Sequence, residues 1–276
     1  GQFESRISDI LSQCFSEGNQ DLVIFPEYTS VFLALSPFGQ VLRGKKTTTE
    51  AFGAIKSMPA QDAATPSPVF NDFKSLFLAE SGYVEAKMKR IFGSLARQYR
   101  TTIIAGTYFS AEGEKLKNRA MVFGPGGDVI YTQDKVFLTP MERDLFQITP
   151  GEISKAVGFS CAGRRMVLTI CRDSLEPIWS SHYNGKDFRE TDIWIDIKAN
   201  GEVFTYTVED SFTQFMPARL KDTNIPYGIT VCLVGSFLEF FWEGESSVIR
   251  KTDGEIEVLQ EATNPVQAQI LMETLR

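Results

Sequence analysis

Apolar residues recur at helical spacing near the start of the chain. Phe3, Ile7, Ile10, Leu11, Cys14 and Phe15 share one face over residues 3–15, and Gly18 lies where such a helix stops. DLVIF (21–25) follows as a short, nearly continuous apolar run, which predicts a strand covered on both faces. A second helical face uses Val84, Met88, Ile91, Phe92, Leu95 and Tyr99, and it leads directly into the strand TTIIAGTYF (101–109). AMVF and DVIYT then flank GPGG (124–127), the pattern of a hairpin turn. A strand pair around CAGR (161–164) ends in RMVLTIC (165–171). The strand DIWIDI (192–197), a helix near 208–223, the strand YGITVCLV (227–234) and a hairpin over 247–259 with an Asp-Gly turn complete the pattern. Residues 36–82 are poorly patterned, with prolines at 37, 59, 66 and 68. They read as a long irregular excursion with room for a short helix, inside a single domain spanning 1–276, rather than as a linker. Alternating strands and helices, interrupted by hairpins, predict an α/β chain with helices packed on largely buried mixed sheets.

Composition narrows the functional classes. With 43% hydrophobic and 23% charged residues, 276 residues can bury a sizeable core. The net charge is -7, and no basic block exceeds Lys45-Lys46 or Arg164-Arg165, so a nucleic-acid partner is not expected. No apolar run approaches the roughly 18–20 residues that span a bilayer, and nothing reads as a secretory signal. No membrane partner is therefore expected. The four cysteines, Cys14, Cys161, Cys171 and Cys232, are scattered in a way that fits neither a disulfide framework nor a zinc site. An intracellular, reduced, cytoplasmic protein is the natural reading. There is one histidine, His182, so histidine-based catalysis must use it, and metal sites with two or more histidines are excluded.

Two motifs have simple alternatives. Residues 39–46 nearly spell a phosphate-binding loop, but Lys46 replaces the hydroxyl residue and no strand is expected before it. His182, eleven residues beyond Cys171, reads most simply as a surface or partly buried polar residue, with a substrate contact as the alternative. Three other places share one arrangement, an apolar strand with a reactive side chain at its carboxyl end, where open α/β sheets collect ligands. They are VIFPE ending in Glu27, VIYTQDK ending in Lys135, and MVLTIC ending in Cys171. Alone, each has a bland reading: a solvated carboxylate, an exposed lysine, a buried inert thiol. Together they make chemical sense. A thiol titrating near 8.5 needs a base to act as a nucleophile, a carboxylate raised towards neutrality can take its proton, and an ammonium can stabilise thiolate and oxyanion.

FPEY (25–28), NRAMVFGPGGDVIYTQDKVFLTP (118–140) and LTICRDSLEP (168–177) resemble, in order, the three signature blocks of the nitrilase-like carbon–nitrogen hydrolase superfamily. PARLKDTNIPYGITVCLVG (217–235) and SSVIRKTDGEIE (246–257) are similar to its late helix–strand unit and closing hairpin. The resemblance implies a four-layer αββα sandwich. It also implies Glu27 as general base, Lys135 as oxyanion stabiliser, Cys171 as nucleophile, Glu142 as a second glutamate orienting the lysine, and the backbone N–H of Arg172 as oxyanion donor. The implied reaction is hydrolysis of a small-molecule amide, carbamoyl compound or nitrile through a thioester, with no metal or organic cofactor. The CRDSLEP context is more similar to amidases and carbamoylases than to true nitrilases. Two rival readings are an acyltransferase of the same superfamily and a non-catalytic binding protein that kept the fold. The family's opening strand has no counterpart before the first helix of this chain. A homodimer or larger homo-oligomer is implied, with 208–223 as the contact element. Phe212, Phe215 and Met216 there either face a partner or pack in the core.

Overall fold

A computed structural model describes residues 1–58 and 72–275. Prolines 59, 66 and 68 of the expected excursion lie outside the described residues. The chain opens with α1 (Gln2–Ser16), β1 (Leu22–Phe25), a 3-10 helix (Val31–Phe38), α2 (Gly39–Leu42) and α3 (Thr48–Lys56). It continues with α4 (Phe73–Tyr99), β2 (Thr102–Glu112), β3 (Lys115–Phe123), β4 (Val129–Asp134) and α5 (Pro140–Asp144). Next come β5 (Phe159–Cys161), β6 (Arg164–Ile170), a 3-10 helix (Cys171–Leu175), α6 (Ile178–Tyr183) and β7 (Thr191–Lys198). Finally come α7 (Tyr206–Phe212), α8 (Met216–Lys221), β8 (Tyr227–Cys232), β9 (Gly235–Phe237), β10 (Phe240–Trp242), β11 (Ser247–Thr252) and β12 (Glu255–Glu261).

Among the described residues, β1-β2-β3-β4 form one sheet and β12-β11-β8-β7-β6-β5 a second. Both are mixed: β1 runs parallel to β2, and β6, β7 and β8 run parallel to one another, while the hairpins supply antiparallel pairs. Three apolar layers hold this together. Leu11 of α1 and Met88 and Phe92 of α4 cover Ile103 and Phe123 of the first sheet. Ile104 and Val122 meet Leu168, Ile170 and Ile195 between the sheets. Trp179 of α6 and Leu220 of α8 cover Val167 and Trp194 on the far side. The architecture is a four-layer αββα sandwich. No helix among the described residues is long and apolar enough to cross a membrane.

Three elements differ from the sequence reading. The described part of 36–82 is largely helical, and the long helix starts at Phe73 rather than Val84. Asp72 and Ser75 form a capping box there, and Leu76 and Phe77 extend the buried face. Buried Ser81, which accepts from the Ala111 N–H at 2.8 Å, and Gly82 interrupt the apolar pattern without ending the helix. The stretch 208–223 is two short helices, because Pro217 at the start of α8 forces a new beginning. Met216 sits in the core, whereas Phe212 and Phe215 are half-buried with their rings against the Lys198 ammonium.

Candidate active site

The two sheets bring the three reactive strand ends to one place. β1 ends at Phe25, β4 at Asp134 and β6 at Ile170, so Glu27, Lys135 and Cys171 each follow a strand closely. The Lys135 ammonium lies 2.8 Å from Glu27 Oε1 and 2.9 Å from Glu142 Oε2, and all three side chains are 0% exposed. Asn118 on β3 ties the carboxylates together, donating through Nδ2 to Glu27 Oε1 at 2.9 Å and to Glu142 Oε1 at 2.7 Å. Glu142 belongs to a capping box with Thr139 at the start of α5, which fixes its rotamer. Glu27 Oε2 is buried with no hydrogen-bond partner, an orphan that a reacting group can occupy.

Backbone strain marks both sides of the cluster. Cys171 has φ 54 and Tyr28, next to Glu27, has φ 61, left-handed conformations that cost about 1–3 kcal/mol each outside glycine. The first is held by Asp173, whose Oδ2 accepts from the Ile170 N–H at 3.3 Å, and by the Ser174 hydroxyl 2.9 Å from the Cys171 carbonyl. The second is held from β2, where Thr107 Oγ1 accepts from the Tyr28 N–H at 2.9 Å. Gly106, with φ +68, lets β2 approach this turn, since a Cβ there would overlap the Pro26 carbonyl oxygen and the Thr29 side chain. Gly106→Ala should therefore cost more than about 2 kcal/mol in chemical denaturation. An unchanged denaturation midpoint would show that the Glu27 turn does not depend on this approach.

Charge in this closed site is shifted in consistent directions. Burial pushes the Glu27 carboxyl up to about 7, with the Glu142 charge adding and the Lys135 ammonium opposing. Burial also raises Glu142, but Lys135 and the bonds from Lys135, Thr139 and Asn118 outweigh it and hold that carboxyl below its usual range. Burial alone would depress Lys135, yet the two carboxylates keep it well above the ordinary lysine value. The Cys171 thiol is pushed up to about 12 by burial and by Glu27, against Lys135, Lys198 and the Ala199 N–H. A groove of ≈ 800 Å³ between α1, β1 and β8 passes Pro26 and Thr29, but Glu27, Lys135 and Cys171 are not part of its lining.

Arg172 follows in the first turn of its 3-10 helix, where N–H groups lack intrahelical acceptors, and its side chain turns outward to Glu176 at 3.9 Å. His182 is not brought to the cluster. Its Nε2 lies 2.8 Å from the Ala156 carbonyl, and its ring packs against Trp179, Tyr183 and Phe188. Sequence reasoning gave no role to Asn118, Asp173 or Lys198. Asp173 Oδ1 accepts from the N–H groups of Val136 at 3.0 Å and Phe137 at 2.7 Å, locking the segment after Lys135 to the one around Cys171. The available signal for Asn118 and Lys198 was a polar residue in an otherwise apolar strand.

The sequence profile of the carbon–nitrogen hydrolase family matches residues 5–187, a span that holds Glu27, Lys135, Glu142 and Cys171. The chain belongs to the carbon–nitrogen hydrolase family. Solved structures agree on the fold. The carbon–nitrogen hydrolase from Helicobacter pylori G27 superposes with TM-score 0.66 at 16% identity, covering 97% of this chain and 81% of that one. A mutant of the amidase from Nesterenkonia sp. AN1, showing Michael addition of acrylamide at its active-site cysteine, gives TM-score 0.62 at 15% identity, with coverage of 96% and 81%. Nit3 of Saccharomyces cerevisiae, a member of branch 10 of the nitrilase superfamily, likewise gives 0.62 at 15% identity, with coverage of 96% and 81%. No curated protein matches the carbon–nitrogen hydrolase chain by sequence.

Proposed function

We propose that this carbon–nitrogen hydrolase cleaves a small-molecule amide through a thioester on Cys171. The observation that carries the reading is the fully buried Lys135 ammonium bridging Glu27 and Glu142 beside a cysteine in a strained backbone conformation. Cys171 Sγ attacks the amide carbon while its proton passes to Glu27. Lys135 and the Arg172 N–H stabilise the oxyanion. As the carbon–nitrogen bond breaks, Glu27 gives that proton to the departing nitrogen and the amine leaves. Water then loses a proton to Glu27 and attacks the thioester carbon, and Cys171 leaves, recovering the proton from Glu27.

Magnitudes shape the first step. Burial raises the thiol to about 12 and the carboxyl only to about 7, so complete transfer of the proton is uphill before attack. Thiol and carboxylate are thus the resting pair, and the proton moves as the carbon–sulfur bond forms. The Nesterenkonia amidase supports amides as the first substrates to try.

The pH profile tests the base. Glu27 must be ionised to accept the proton, so kcat/KM should rise through about pH 7 rather than through the ordinary carboxylate range. Glu142→Gln removes a charge that raises Glu27, so the residual activity of that variant should rise at lower pH. An ascending limb at the usual carboxylate value in the wild type, or an upward shift in Glu142→Gln, would contradict the assignment. The sign for stability is opposite. Folding raises the Glu27 pKa, so its contribution is full below the unfolded value near 4.5 and is lost as pH rises through about 7.

A further inference from the structure

β6 and β7 run parallel and side by side, and their register pairs Ile170 with Ile197. Cys171 and Lys198 directly follow this pair at the carboxyl end of the sheet, Cys171 opening its 3-10 helix and Lys198 ending β7. The Ala199 N–H favours the charged form of the Cys171 thiol. Lys198 is 1% exposed. Its ammonium lies 3.2 Å from the ring centroid of Phe215 and 4.4 Å from that of Phe212, with Asp196 Oδ2 at 3.6 Å. Asp196 is buried too, and has hydroxyl partners in Ser174 at 2.7 Å and Thr169 at 3.0 Å.

We infer that Lys198, balanced by Asp196, is a positioning residue that sets the electric field at Cys171 and stabilises the negative charge that develops on its sulfur. The inference rests on Cys171 being the reacting thiol. Lys135 cannot supply that field freely, because its single charge already faces the two carboxylates Glu27 and Glu142. Lys198 faces one carboxylate, and that carboxylate has hydroxyl donors of its own. Aromatic faces hold an ammonium without cancelling its charge. Burial keeps the field from being screened by water or salt. Around the thiol stand Glu27 and Tyr28 after β1, Lys135 after β4, Lys198 at the end of β7, and Cys232 at the end of β8. Asp173, in the same 3-10 helix, points to Val136 and Phe137 instead. Lys135 and Lys198 are the cations of this set, and Lys198 is the one outside the carboxylate cluster.

Lys198→Met and Asp196→Asn nearly preserve shape and should act in opposite directions. The readout is the rate of iodoacetamide labelling of Cys171, followed by peptide mass spectrometry from neutral to alkaline pH. Lys198→Met should slow labelling at neutral pH about tenfold, one unit upward in the thiol midpoint, and Asp196→Asn should accelerate it by a similar factor. A purely structural role would move both variants the same way. Equal rates in all three proteins, or shifts of the same sign, overturn the inference. Should Lys198→Met fail to fold, Asp196→Asn decides alone: acceleration supports the assignment, and an unchanged or slower rate overturns it. Labelling needs no substrate. If the variants diverge as stated while no amide is turned over, the amide-hydrolase reading fails and the role of Lys198 stands.

Discussion

Cys171→Ala should abolish amine release from every amide the wild-type protein hydrolyses, while alanine at Cys14, Cys161 or Cys232 should not. All four cysteines are buried and free, so burial does not distinguish them. Their neighbours do. Glu27 and Lys135 act directly on Cys171, whereas Cys161 Sγ is engaged by the Asp21 carbonyl at 3.3 Å and Cys232 Sγ by the Glu245 carbonyl at 3.3 Å. Cys14 lies on the inner face of α1 with burial as the main influence on its thiol. A thiol needs both a proton acceptor and an oxyanion partner to act at neutral pH, and in the proposed mechanism Glu27 and Lys135 supply them to Cys171. Initial rates of ammonia release from a panel of simple amides, ureido acids and nitriles check this. Full activity in purified, folded Cys171→Ala would remove the nucleophile from the mechanism.

Lys135→Ala should lower turnover by about 100–1,000-fold, the usual loss when a buried oxyanion partner is removed. The same change leaves two carboxylates facing one another, and breaking a buried ion pair typically costs about 3–5 kcal/mol. Glu27 limits that cost, because its carboxyl is already near neutrality and takes up a proton when Lys135 is gone. That protonation removes the base as well, so activity falls for two reasons. Lys135→Arg should also fail, since a planar guanidinium does not fit a position built for a compact ammonium 2.8 Å and 2.9 Å from two oxygens. His182→Ala should keep the chemistry, because the ring bonds Ala156 and packs among Trp179, Tyr183 and Phe188. Circular dichroism establishes folding for each variant. A dead His182→Ala with a near wild-type Lys135→Ala would reverse the assignment of residues.

What could be read from the sequence followed burial. β6 is buried over its last five residues and β1 is buried or half-buried throughout, so each appears as a continuous apolar run, and Cys171 and Glu27 stand out just beyond their ends. The hairpin at GPGG was legible from its turn residues, and Gly127 N–H bonds the Gly124 carbonyl at 2.8 Å there. The start of α4 was obscured because Ser81 and Gly82 break the apolar stripe while the cap lies at Asp72. The break between α7 and α8 followed from Pro217, but the apolar pattern around it continued as though one helix ran through. Asn118 and Lys198 were harder still. A polar residue in an apolar strand signals a buried partner, but sequence spacing does not show that one bridges two carboxylates and the other lies at the strand end next to Cys171. Those relations arise from strand register and from the meeting of two sheets, neither of which is local.

The proposed reaction passes through a covalent acyl group on Cys171. Rapid acid quenching of the wild-type protein during turnover of its best amide, followed by peptide mass spectrometry, tests it most directly. The Cys171 peptide should carry the mass of the acyl portion of the amide, and hydroxylamine should remove that mass, as expected of a thioester. Amine release at the normal rate with the acyl group on another residue, or with no acyl-enzyme under conditions that slow the attack of water, would contradict it.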